Sequence, residues 1–65
     1  MDDKFEKIKI INYIKRLMLR RELLTLQLNN DDSEELRQIT LGELKQCDLV
    51  IKEMMNEFDI NEDEF

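Results

Sequence analysis

The chain is expected to be all-α, an antiparallel helical hairpin that pairs with a second copy into a dimeric four-helix bundle, and three observations lead to that expectation. Proline is absent and Gly42 is the single glycine, so almost nothing interrupts a helix. Leu, Met, Glu, Lys and Arg are abundant, and these side chains lose little rotamer freedom in a helix. Turn-forming residues cluster once, at Asn29-Asn30-Asp31-Asp32-Ser33, near the middle of 65 residues.

Helix 1 is predicted over about 3–28. Ile10, Ile14, Leu17, Leu24 and Leu28 recur at the alternating four- and three-residue spacing of a helix seam, with Arg21 at the seam position between Leu17 and Leu24. A second set, Phe5, Ile8, Leu19, Leu23 and Leu26, falls on another side of the same helix when each residue is rotated by about 100°. Helix 1 therefore carries two apolar surfaces. The turn is placed at 29–32, where Asp32 followed by Glu35 matches an N-cap with a capping-box acid. Helix 2 is predicted over about 33–58, with one stripe through Leu44, Cys47, Ile51, Met54 and Phe58 flanked by Leu36, Val50 and Met55. Gly42 and the capping-box pattern of Thr40-Leu41-Gly42-Glu43 leave open a break there; a continuous helix is the main expectation, since one glycine is often tolerated. Residues 59–65 are read as a frayed acidic tail.

A single domain of this length buries only roughly 60% of the surface its unfolded chain exposes. Small scaffolds usually add disulfides, a structural metal or oligomerisation. With one cysteine and no histidine, neither an internal disulfide nor the usual zinc site can form. One hairpin cannot cover both apolar surfaces of helix 1, so a two-fold dimer is expected, its interface drawn from Ile10, Ile14, Leu17, Leu24, Leu44, Ile51, Met54 and Phe58.

Charge divides the chain. Up to Asn30 there are seven basic and four acidic residues; after it, three basic and twelve acidic, for a net of −6 overall. Complementary charge on the two helices favours their antiparallel pairing, although each exposed pair adds only about 0–1 kcal/mol. The functional reading begins with Lys9, Arg16 and Arg20, which project to one side of helix 1, with Glu53 and Glu57 as the acidic counterpart. A protein partner recognised through these faces is the leading expectation. The acidic half, similar in outline to small acidic phage proteins that inhibit host factors, could alternatively imitate a phosphate backbone. Direct nucleic-acid binding through helix 1 is disfavoured by an isoelectric point near 4.5 and by the absence of a glycine-rich phosphate loop.

Catalysis is not expected. Ser33 and Cys47 lack a histidine base, and two helices offer no cleft to desolvate paired carboxylates. No cofactor or metal is expected: Asp59-Ile60-Asn61-Glu62-Asp63 imitates the start of a calcium loop without its glycine or closing glutamate. Met18, Met54 and Met55 are read as core fillers. Apolar runs fall far short of the roughly 20 residues that span a bilayer, no export signal is read, and a lone thiol suits the cytoplasm.

In size and hairpin layout the chain resembles the small aspartyl-phosphate phosphatases of sporulating bacteria. Their Ser-Gln-Glu-Leu-Asp motif meets Leu41-Gly42-Glu43-Leu44-Lys45 here, which keeps Glu43-Leu44 and lacks the serine and the aspartate, so no family is assigned.

Overall fold

A computed structural model describes residues 3–65, with side chains described from Glu6 onward. The chain forms two long helices, α1 (Asp3–Asn30) and α2 (Glu34–Glu57), and one turn of 3-10 helix, η1 (Glu62–Glu64). Among the described residues there is no strand. Phe5, expected on the outer side of α1, lies outside the described side chains.

The helices run antiparallel, because contacts that advance along α1 retreat along α2. Lys7 meets Glu64, Leu17 meets Cys47, and Gln27 meets Thr40. The result is a rod of 49 × 19 × 16 Å. Its core is a single file between the helices: Ile14 and Leu24 from α1, Cys47 and Ile51 from α2, and Ile60 from beyond α2. Ile10, Ile11, Leu17, Met18, Leu44, Met54 and Met55 pack partly buried against that file. Thr40 is the one polar residue among those buried, and its hydroxyl accepts a hydrogen bond from the Gln27 amide at 3.1 Å. Arg21 lies beside the core, where its guanidinium donates to the Asp48 carboxylate at 2.7 Å. An arginine on the apolar seam is accommodated because its partner stands across from it at the solvent edge.

The boundaries depart from expectation in three places. First, α1 runs through both asparagines, leaving only residues 31–33 as the connection. Second, the N-cap of α2 is Ser33 rather than Asp32. Ser33 is extended (φ −117°, ψ 153°) and its hydroxyl accepts from the Leu36 N–H at 3.1 Å, while Glu34 and Glu35 face the positive end of the helix dipole. Third, the segment after α2 folds back. Asp59 takes a left-handed φ of 52°, the Ile60 N–H reaches the Met55 carbonyl at 2.9 Å, and the Asp59 N–H reaches the Asn56 carbonyl at 3.4 Å. That pair of bonds is a Schellman motif, which turns the chain sharply and sets the following apolar residue against the last helical turn. Ile60 is accordingly 4% exposed in the core, and the reading of the whole tail as frayed is corrected. η1 then closes with a reciprocal cap, the Asn61 N–H donating to the Glu64 carboxylate at 2.8 Å, and Lys7 pairs with the same carboxylate at 2.9 Å.

Through Gly42 the helix is unbroken, and a Cβ built there would meet nothing within 4 Å. Gly42 therefore permits no close approach within the hairpin; it leaves open space.

Candidate interaction surfaces

Two surfaces stand out among the described residues once the core is satisfied. The first is the outer side of α1. A 28-residue helix turning about 100° per residue can aim one stripe at α2, and Ile14 and Leu24 occupy it. Ile8, Leu19, Leu23 and Leu26 point the opposite way and are 55–59% exposed. Leu19, Leu23 and Leu26 follow the four-then-three spacing that makes a continuous ridge. Isolated exposed leucines are ordinary, whereas a ridge of them is the form that an interaction surface takes.

The second surface is a shallow groove of about 420 Å³ along one side of the hairpin, lined by Tyr13, Leu17 and Arg20 of α1 and by Gly42, Glu43, Gln46, Cys47 and Val50 of α2. Leu17, Cys47 and Val50 make an apolar floor. The open space at Gly42 widens the α2 wall. Arg16 stacks over the Tyr13 ring, 5.6 Å from its centroid, so the α1 rim is cationic and aromatic together. Along α2, Ile39, Glu43, Gln46, Val50, Glu53 and Glu57 fall at alternating four- and three-residue spacing and form one acidic stripe with apolar interruptions. The Cys47 thiol donates to the Leu17 carbonyl at 3.3 Å, so the sulfur is committed to the packing between helices.

The predicted partner-binding residues distribute over these features. Arg20 stands on the groove rim, Arg16 beside it, and Lys9 is exposed further along the same side of α1. Glu53 and Glu57 are exposed on α2 and border a shallow depression with Met54, Asn56 and Phe58. Among the described residues neither Arg16 nor Arg20 pairs with Glu53 or Glu57; the ion pairs are Lys7–Glu64, Arg21–Asp48 and Lys52–Asp48. Arg16 and Arg20 are thus not joined to the acidic residues Glu53 and Glu57 within the hairpin.

The residues expected to meet a second copy need reassignment. Ile14, Leu24 and Ile51 are buried inside one hairpin and have nothing left to offer another chain. Ile10, Leu17, Leu44 and Met54 are half-buried against that core. Phe58 remains exposed. One hairpin already closes over the centre of the seam from which that interface was drawn.

Asp48 and Glu64 belong to the acidic array that the sequence offers as a possible phosphate mimic, yet within the hairpin they carry the described ion pairs. Hydrogen bonds from Lys52 and Arg21 hold the Asp48 carboxyl below the ordinary range, and the Asn61 N–H and Lys7 do the same for Glu64. Among the described residues no cluster of three or more acidic or thiol side chains could hold a metal ion, and no helix is long and apolar enough to cross a membrane. No protein-family model, curated protein or solved structure matches the chain.

Proposed function

We propose that this protein is a non-enzymatic interaction module, a helical hairpin that assembles as a dimer and regulates or inhibits another protein by presenting a helix face to it. The observation that carries the reading is the ridge of Leu19, Leu23 and Leu26 with Ile8, each more than half exposed on the side of α1 turned away from its own core. The ridge has the repeat used when an apolar helix face docks in a partner's groove.

The test is a pull-down from a bacterial lysate with wild type and a Leu19→Gln/Leu23→Gln/Leu26→Gln variant. Glutamine keeps helix propensity, so circular dichroism should be unchanged while a specific partner is lost. Equal capture by both baits, or no specific capture, would sink the reading. Capture of a DNA- or RNA-binding protein that free nucleic acid displaces would instead identify the acidic mimic.

A further inference from the structure

The chain exposes 5302 Å², whereas a compact monomer of 7.9 kDa exposes about 4,400 Å². The excess of about 900 Å² is close to the roughly 800 Å² that each partner buries in a standard interface. Two grooves run between the helices. The one lined by Arg21, Glu22, Lys45 and Asp48 mixes both signs on each helix and already joins Arg21 and Lys52 to Asp48, whereas the groove beside Gly42 sets basic residues on its α1 side against acidic residues on its α2 side. Arg16 and Arg20 stand on the α1 side, with Glu43 and Glu53 on the α2 side.

We propose that the groove face is covered by a second copy of this chain, related by a two-fold axis parallel to the helices, so that α1 of each copy lies against α2 of the other. Leu17 is level with Cys47 and Gln27 with Thr40, so Arg20 falls about one turn from Glu43 in height, and Arg16 stands at a similar remove from Glu53. An axis parallel to the helices preserves those heights. It faces Arg20 toward the partner's Glu43 and Arg16 toward the partner's Glu53, each about one turn away in height and within the reach of an arginine side chain, twice over by symmetry. The same operation sets Leu17 and Tyr13 over the partner's Val50. Turning the axis across the helices would instead stack α1 on α1, basic on basic, and α2 on α2, acidic on acidic. Like-charge contact of that kind selects against the second arrangement. This inference rests on the dimer proposed above and names its face; it does not use the leucine ridge, which stays open for a different protein.

Sedimentation equilibrium over the micromolar range is the measurement. Wild type should be dimeric at the upper end, and Arg20→Glu and Glu43→Arg should each weaken the dimer by about tenfold or more, since two pairs per dimer turn from attractive to repulsive. Both side chains are exposed, so helicity should be retained. The deciding sample is an equimolar mixture of the two variants, which should regain wild-type dimerisation because every contact between them again joins opposite charges. A monomeric wild type, single variants as dimeric as wild type, or a mixture no more associated than its components would each overturn the proposal. So would a dimer lost on changing Leu19, Leu23 and Leu26, which would move the contact to the ridge.

Discussion

Asp59 holds the least comfortable backbone among the described residues, at a φ of 52° where a side chain costs free energy and glycine does not. It also places a negative charge beside the C-terminus of α2, whose last turn has no basic residue to offset the helix dipole. Asp59→Gly is therefore expected to stabilise the fold by about 1 kcal/mol, read as a raised urea midpoint with unchanged slope. Asp59→Asn should gain less, since it removes the charge and retains the Cβ. Ile60 is the complementary case. Truncation to alanine empties a site that is 4% exposed and should cost about 2 kcal/mol. Hydrogen exchange would show it locally, with the Ile60 and Glu64 amides losing protection before those of α1. A stability unchanged by Ile60→Ala would mean that the turn is held by its backbone bonds alone.

At the level of elements, α2 tolerates its glycine rather than using it to pack against α1. Because a methyl group at Gly42 would meet nothing within 4 Å, Gly42→Ala should stabilise α2 by about 1 kcal/mol through helix propensity, measurable as a higher thermal midpoint. Much of α2 is legible from sequence, since its single apolar stripe through Leu44, Cys47 and Ile51 has one possible destination. The start of α2 is less legible. Asp32 and Ser33 are both good capping residues, and the choice of Ser33 depends on which of them the exit from α1 leaves extended. The end of α2 falls where the sequence places it; the segment after it reads as frayed because Asp59 to Glu64 is acidic in composition. A weak signal exists there, since Met55 and Ile60 have the five-residue spacing of the apolar contact that accompanies a Schellman turn.

Over the whole molecule, stability depends on a thin core and on a few surface ion pairs that respond to acid. The folded chain holds the Asp48 and Glu64 carboxyls below their ordinary values. Such groups add stability above the unfolded carboxylate value of about 4, and that contribution disappears as pH falls through the lower, folded value. Wild type should therefore lose stability on the acid side, below about pH 4.5. Asp48→Asn and Glu64→Gln should start less stable at neutral pH and show a shallower acid limb, converging with wild type once the carboxyls are protonated. Parallel acid limbs in equilibrium unfolding would show that these two pairs contribute nothing to the fold, as many exposed pairs do.

The sequence alone determined the all-helical class, the two-helix division, the polarity split between the helices and the presence of two apolar surfaces on α1. These follow from residue spacing, helix propensity and the absence of proline, which are properties of a segment taken by itself. Only the tertiary structure decided which apolar surface α2 covers. It buries Ile14 and Leu24 and leaves Leu19, Leu23 and Leu26 outside, because one antiparallel helix can shield only one side of another. The pairing of Arg21 with Asp48, the bond from Gln27 to Thr40 and the return of Ile60 to the core were decided there too. Each joins residues far apart along the chain, and their spacing in sequence carries no record of the contact until the two helices are laid side by side.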